Sequence, residues 1–339
     1  MRTFRHYNAR SIDEALSLLG EHREGARLNA GGTDLLGLLK DMSLPRYPDL
    51  LVNIKTIPGL DYIEEDPERL RIGALTKLND LARSQMLREK YGAISEAARA
   101  VAGPQLRNIA TIGGNLCQDV RCWYYRYPAH LGGTMDCARK GRGPCFALKG
   151  DNRYHAVTGA KKCFAVCPSD LATALAALDG RMTIVSRRGE RRVAVEDFFS
   201  PLRNALEADE IVREIDVPVA SASRIQTFLK FTLREPIDFA IVSVACAIEF
   251  KEGICSDARI IIGAVAPGPF RARQAEEALT GREISEAAAT KAAELVLQGA
   301  KPLSKNAYKI QIAKTLVKRA IQKIGEMNPA PGKGQEKPA

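Results

Sequence analysis

Apolar positions along the chain alternate between a helical and an extended period, and each change marks an element. Residues 11–19 carry a helical stripe, Ala15, Leu16, Leu18 and Leu19, behind a capping box of Ser11 and Glu14. Ala26–Ala30 reads as a strand, Gly31-Gly32-Thr33-Asp34 as a glycine turn, and LLGLLKDM as the helix that leaves it. A second extended piece, Leu50–Ile54, leads through an acidic turn at Glu64–Glu68 to a strand in RLRIGAL. SEAARAVAG reads as a helix stopped by glycine, and Thr111-Ile112-Gly113-Gly114-Asn115 as another glycine turn.

Periodicity then fades. Residues 117–167 carry few apolar repeats and read as one long loop, which a compact domain does not tolerate unless something orders it. Regular patterning returns at Ser169-Asp170-LATALAAL, a capped helix, and continues in the strand-like runs MTIVS, IVREIDV, TFLKFTL, FAIVSVACAIEF and ARIIIGAV. Those runs predict an antiparallel sheet, and two helices follow at about 284–298 and 305–325. The layout is α+β, with a boundary between about 180 and 200, and no internal repeat. The final NPAPGKGQEKPA predicts a disordered tail over 328–339.

Composition changes this picture little. A chain of 339 residues is long enough for two or three cores, and 45% hydrophobic with 27% charged residues is ordinary for a soluble protein. No run approaches a membrane span, and MRTFRHYNARSIDEALSLLG lacks a signal-peptide pattern, so a cytoplasmic location is expected, periplasmic only if a partner carries the chain there. The net charge of +10 is concentrated in two places. Residues 301–339 hold nine basic and two acidic groups, and 117–168 hold nine and three. Neither stretch has a nucleic-acid-binding signature, so no nucleic-acid partner is expected.

The cysteines matter more. Eight lie at 117, 122, 137, 145, 163, 167, 246 and 255, and the first six fall within 51 residues, which without a secretion signal argues for a metal site over disulfides. Cys246, in the alternation VSVACAIEF, reads as a small buried hydrophobe, and Cys255 carries no assigned role.

The two glycine turns lie about eighty residues apart. Paired glycines permit positive φ and close approach of a ligand, and successive amides form an anion-binding concavity suited to a diphosphate. Neither turn is a P-loop or a dinucleotide fingerprint, so spacing alone suggests a phosphate binder and no more.

AGGTDLL and TIGGNL followed by SDLATALAAL, with FLKFTLREPIDFAIVSVA and the helix from Tyr308 to Ile321, resemble the FAD-binding subunits of the xanthine dehydrogenase, aldehyde oxidase and carbon monoxide dehydrogenase family. The resemblance implies a vanillyl-alcohol-oxidase-type fold: FAD-binding subdomains at 1–58 and 59–185, then a C-terminal domain at 186–327 with an antiparallel sheet and helices. It implies that Ala30, Gly31, Gly32, Thr33 and Asp34 hold the FAD diphosphate from one side and Thr111, Gly113, Gly114 and Asn115 from the other. Asp170 is implied near the ribose and Lys230 beside the flavin, with FAD bound non-covalently.

The step from Asn115 to Ser169 exceeds a usual connection by roughly forty residues. This insert is similar to those of family members such as 4-hydroxybenzoyl-CoA reductase and a bacterial three-subunit aldehyde oxidase. That likeness implies a [4Fe–4S] cluster on Cys122, Cys137, Cys145 and Cys163, with Cys117 and Cys167 spare. Intervals of 15, 8 and 18 residues are unlike the compact ferredoxin motif, so spacing alone leaves structural zinc or free thiols open. Trp123, Tyr124 and Tyr125 are expected to shield the cluster, and His130 and His155 to be solvent-facing loop residues. The family implies two partners, a molybdopterin-containing large subunit and a small subunit with two [2Fe–2S] clusters. Basic residues around the insert would also suit an acidic carrier such as ferredoxin. A stand-alone FAD-dependent oxidase and a zinc-stapled, non-enzymatic interaction protein are the competing readings.

Overall fold

A computed structural model of the chain describes residues 1–328; of the disordered tail expected over 328–339, all but Asn328 lies outside the described residues. Three sheets organise the described residues.

The first subdomain contains β1 (Arg5–Asn8), α1 (Ile12–His22), β2 (Ala26–Asn29), α2 (Leu35–Asp41) and β3 (Leu50–Asn53), with parallel strands in the order β1-β3-β2. Ser11 caps α1 by accepting the Glu14 amide at 3.1 Å, and the Glu14 carboxylate takes the Arg10 amide at 2.6 Å. β1 has no counterpart in the sequence reading: its four residues RHYN are all exposed and show no apolar alternation.

The second subdomain is built on β4 (Ile63–Glu65) and β5 (Arg69–Gly73), then the short helices α3 (Leu78–Arg83), α4 (Gln85–Lys90), α5 (Gly92–Ala100), α6 (Pro104–Arg107) and α7 (Ile112–Cys117). After the insert come α8 (Asp170–Ala177), β6 (Arg181–Ser186), β7 (Gly189–Ala194) and β8 (Ile211–Pro218). Its antiparallel sheet has the order β4-β5-β8-β6-β7. The boundary expected at 185/186 therefore cuts through a sheet: β7 and β8 are hydrogen-bonded to β6 and β5, so sheet membership moves the division to the connection after Pro218. Strands that alternate alike look the same in sequence whichever sheet they join.

The third domain holds β9 (Arg224–Phe231), β10 (Val242–Lys251), β11 (Ile254–Gly263) and β12 (Phe270–Arg271), ordered β12-β11-β10-β9, with α9 (Arg273–Leu279), α10 (Glu286–Leu295) and α11 (Tyr308–Met327) packed on it. Cys246 is buried in β10 and Cys255 in β11. Leu316, Val317, Ala320, Ile321 and Ile324 form the buried stripe of α11. No described helix is long and apolar enough to cross a membrane.

The insert contains only three single 3-10 turns, at Ala129–Leu131, Ala138–Lys140 and Phe146–Leu148. Polar bonds to the third domain hold its last leg. Buried Asn152 donates to the Ala147 carbonyl at 2.9 Å and to Ser304 Oγ at 3.1 Å, and accepts the Lys305 amide at 2.9 Å. Asn306 donates to the His155 and Ala156 carbonyls at 3.1 and 3.2 Å. Lys309 is fully buried, and its ammonium donates to the carbonyls of His155 (3.1 Å) and Ala264, while burial lowers its pKa to about 7.

Packing on the third sheet separates two substitutions on one helix. Ile321→Ala, at a fully buried position, is expected to cost about 2–5 kcal/mol. Lys318→Ala, which removes only a surface pair with Glu286, should stay within about 0.5 kcal/mol. Urea unfolding of the two variants measures the difference.

Candidate functional site

β2 delivers the chain into the first glycine turn, and α2 carries it away. Gly32 takes φ +72°, a conformation glycine adopts without cost. Gly31 meets a different constraint, because a Cβ there would collide with the Ile109 carbonyl oxygen and lie 2.9 Å from Ala110 Cα. The backbones of the two subdomains thus touch at Gly31. On the other side, a Cβ added to Gly114 would stand 4.0 Å from Ala30 Cβ. The two glycine segments, remote in sequence, line one cleft of about 800 Å³ together with residues of β2, β8 and the loop before β8.

The two segments offer different chemistry. Among the described residues, the amides of Gly31, Gly32, Thr33, Asp34 and Leu35 donate to no protein acceptor, and all five residues line the cleft. The second segment is not only a glycine turn but the start of α7, and its amides from Ile112 to Asn115 are occupied. Ile112 and Gly113 donate to the Thr76 and Ala74 carbonyls, both at 2.9 Å, Gly114 to Thr111 Oγ1 at 3.1 Å, and Asn115 to the Thr111 carbonyl at 2.8 Å. Two matched amide nests were expected; the structure has one nest sharing the cleft with a wall of Thr111, Gly113 and Gly114. Asn115 is turned inward, with its Oδ1 accepting Ser169 Oγ at 2.6 Å, and Ser169 in turn caps α8 through the Ala172 amide.

The Asp34 carboxylate points at the insert. Its Oδ1 accepts from Arg126 at 2.6 Å and lies 2.8 Å from Arg121 Nη2, and its Oδ2 accepts the Asp119 amide at 2.8 Å. Asp170 and Lys230 form a buried pair at 2.7 Å, and Lys230 also donates to the Ala100 carbonyl at 2.8 Å. Burial raises the Asp170 pKa and the Lys230 ammonium opposes it. Both residues line a narrow extension of the site with Asp34, Asn115 and Phe239. Asp170 also borders a separate cavity of about 470 Å³ walled by Cys122, Trp123 and His155. That pairing of Asp170 with Lys230 was missed in the sequence, where nothing links positions sixty residues apart.

Leu38, Val120 and Tyr125, which line the cleft, also share one small apolar cluster with Cys122, Cys137 and Cys163. Cys145 joins them beside Cys163: the interaction of the two thiols, with amides of Phe164, Ala147 and Leu148, lowers the Cys145 pKa against the effect of burial and raises that of Cys163. Burial pushes Cys122 up to about 11. Cys117 and Cys167 lie apart in the core of the second subdomain, where burial pushes both up to about 12. Burial lowers Lys140 while the Cys137 and Cys122 thiolates act to raise it; its buried ammonium has no hydrogen-bond partner among the described residues. His130 is exposed as expected, but His155 is not: it is buried, its Nε2 lies 3.2 Å from Cys122 Sγ, and burial drives its pKa down to about 4. The Lys309 and Asn306 bonds to the His155 carbonyl, invisible to any local pattern, turn this loop histidine inward. Trp123 and Tyr124 pack edge-on to one another, and both rings lie within 6.0 Å of the His155 ring. Among the described residues, no three His, Cys, Asp or Glu side chains gather tightly enough for a single metal ion.

Comparisons with known proteins bear on this arrangement. A family described as the FAD binding domain in molybdopterin dehydrogenase matches residues 2–220, and one described as the CO dehydrogenase flavoprotein C-terminal domain matches 227–324. The chain belongs to the FAD-binding subunits of the molybdenum hydroxylases. This flavoprotein subunit is 33% identical to the aldehyde oxidoreductase FAD-binding subunit PaoB of Escherichia coli (strain K12), over 93% of this chain and 96% of that one. It is 27% identical to the carbon monoxide dehydrogenase medium chain of Hydrogenophaga pseudoflava, over 94% and 96%. Among solved structures, carbon monoxide dehydrogenase from the same organism superposes with a TM-score of 0.76 at 26% identity, covering 97% of this chain and 99% of that one. Quinoline 2-oxidoreductase from Pseudomonas putida 86 superposes with 0.75 at 25%, covering 96% and 98%. The mixed α+β fold with a C-terminal antiparallel sheet is thus the fold of this family, and its members are oxidoreductase subunits. Both family matches meet near residue 220, where the sheets divide the chain.

Two substitutions probe the site. Gly31→Ala forces apart the backbones of the two subdomains, and flavin content of the purified flavoprotein subunit should fall at least about tenfold, read from absorbance after denaturation. Lys230→Met leaves Asp170 buried without its cation and should cost about 3–5 kcal/mol at neutral pH. Because burial raises Asp170 above its unfolded pKa, the lone carboxyl favours the fold while protonated and loses that contribution as pH rises. The loss in Lys230→Met should therefore shrink toward pH 4, as urea unfolding across pH would show.

Proposed function

We propose that the chain is the electron-transfer subunit of a molybdenum hydroxylase complex. It holds FAD non-covalently in the glycine-lined cleft and a [4Fe–4S] cluster on Cys122, Cys137, Cys145 and Cys163. The observation that carries this reading is that Leu38, Val120 and Tyr125 both line the cleft beside the free amide nest and pack with Cys122, Cys137 and Cys163.

The residues fit both groups. A diphosphate suits five unpaired amides on a glycine turn, and the cleft lies within the roughly 300–1,000 Å³ common for cofactor sites. Gly31 and Gly32 admit it closely from one side, while Thr111, Gly113 and Gly114 supply a wall with little side chain from the other. Four thiolates around iron leave a net negative group, which suits the Lys140 ammonium, without a hydrogen-bond partner among the described residues, and Arg139, whose charge favours the Cys163 thiolate. His155, held inward, places a ring nitrogen at Cys122 Sγ, Trp123 and Tyr124 pack on each other next to it, and Tyr125 joins the cysteines' apolar cluster. Asp170 and Lys230 neutralise each other beside the cleft, so the pair orients what binds there without imposing a full charge. When bound, FAD accepts electrons in pairs and releases them singly, which matches a two-electron substrate to one-electron centres.

Substrate chemistry is assigned to a molybdopterin-containing large subunit, and a small subunit with two [2Fe–2S] clusters connects it to the flavin. Relatives named as FAD-binding subunits and medium chains support such an assembly. The basic insert suits an acidic external carrier of the ferredoxin kind. A stand-alone oxidase would use the cavity of about 470 Å³ beside Asp170, and turnover by the isolated chain distinguishes it.

Anaerobic absorbance with flavin and iron quantification tests the proposal. One flavin and about four irons per chain are expected, with iron lost in Cys145→Ser and no turnover by the chain alone. Two irons or none in the wild-type protein removes the cluster, and absent flavin removes the whole reading.

A further inference from the structure

We infer that Asp34 couples the two cofactor sites, its carboxylate gripped by the insert so that FAD affinity depends on an ordered cluster loop. The inference rests on the proposal that the cleft takes FAD and the four cysteines a cluster.

A carboxylate at the end of an amide nest is an odd choice for a diphosphate site, since like charges a few ångströms apart repel. The structure resolves the oddity by turning the side chain away and covering it with two guanidinium groups, Arg126 at 2.6 Å and Arg121 at 2.8 Å. One carboxylate between two arginines leaves a net positive charge beside the nest, and both arginines come from the insert. Without them, the same turn presents an uncompensated negative charge to its ligand.

The grip is tied to the cluster pocket by the chain itself. Arg121 precedes Cys122 directly, and the Arg126 amide donates to the Cys122 carbonyl at 2.9 Å, closing one turn around the ligand residue. Arg126 also donates to the Val120 and Asp119 carbonyls, and the Asp119 amide is the third donor to Asp34. Asp119 fixes the far side by accepting from Tyr125 Oη at 2.5 Å and from Arg139 Nε at 3.1 Å. Arg121 is further positioned by stacking over Phe239, 4.5 Å from the ring centroid. Whatever orders Cys122 orders every donor to Asp34, so Asp34 is a positioning residue for the nest. The coupling is reciprocal: bound FAD should slow loss of the cluster by the same factor by which the cluster tightens FAD.

The test is FAD titration of the full chain by flavin fluorescence, before and after oxidative removal of iron with a chelator, in wild type and in Asp34→Asn. In wild type, iron removal should weaken FAD about tenfold, within the roughly 5- to 150-fold usual for coupled sites. Asp34→Asn should weaken FAD about as much with iron present, although it deletes a negative charge, and iron removal should then add less than about threefold. Tighter or unchanged FAD binding in Asp34→Asn, or an equal effect of iron removal in both proteins, overturns the coupling. Arg126→Met cuts the same grip from the insert side and gives a second reading if Asp34→Asn does not fold, as judged by circular dichroism. Iron assay of the wild-type protein separates the two failures. No iron defeats the cluster reading and this inference together; iron without coupling defeats only the inference.

Discussion

Two main chains can lie in contact only where neither carries a side chain between them, and the cleft of this protein is built on one such contact. Gly31 rests against the Ile109 carbonyl and Ala110, with no room for a Cβ. That approach brings the end of β2 against the start of α7 and joins the first subdomain to the second. It places the unpaired amides of the turn opposite Thr111, Gly113 and Gly114. The position of Asp34, and through it the docking of the insert, follows from the same contact.

The insert shows how a polar segment becomes ordered with little apolar burial. Its own hydrophobic contribution is small, a cluster around Val120, Tyr125 and Ala165 that takes in Cys122, Cys137 and Cys163. The rest is held by directed polar bonds: Asp34 and Asp119 at its start, and Asn152, Asn306 and Lys309 at its end. Buried polar groups of this kind stabilise only when fully partnered. The Lys140 ammonium and His155 Nδ1 lack partners among the described residues, and both belong to side chains that border the cysteine pocket.

Local chemistry was legible in the sequence where a short motif carries its own physics. The capping of α1 by Ser11, the glycine turn before α2, the cap of α8 at Ser169 and the stripe of α11 follow from spacing and residue type alone. Pairings between distant segments were not. β1 is exposed and short, so its parallel partnership with β3 leaves no alternation to detect. β7 and β8 alternate like the strands of the third sheet but pair with β5 and β6. The Asp170–Lys230 pair, the inward turn of His155 and the capture of Asp34 by Arg121 and Arg126 each join residues more than thirty positions apart. His155 was expected to face solvent, and what each of these residues touches is decided by the tertiary fold. Asn115 braces Ser169 and borders the narrow extension of the site, away from the glycine-lined cleft.

The asymmetry between the glycine segments offers the most direct test of the central claim, that a diphosphate is bound by the amides of the first. Amide hydrogen exchange, resolved to single residues and compared with and without FAD, reads those amides one by one. Strong new protection at Gly31 to Leu35, with little change at Ile112 to Asn115 whose amides already have protein acceptors, is the predicted outcome. Protection confined to the second segment, or absent from both, would contradict it.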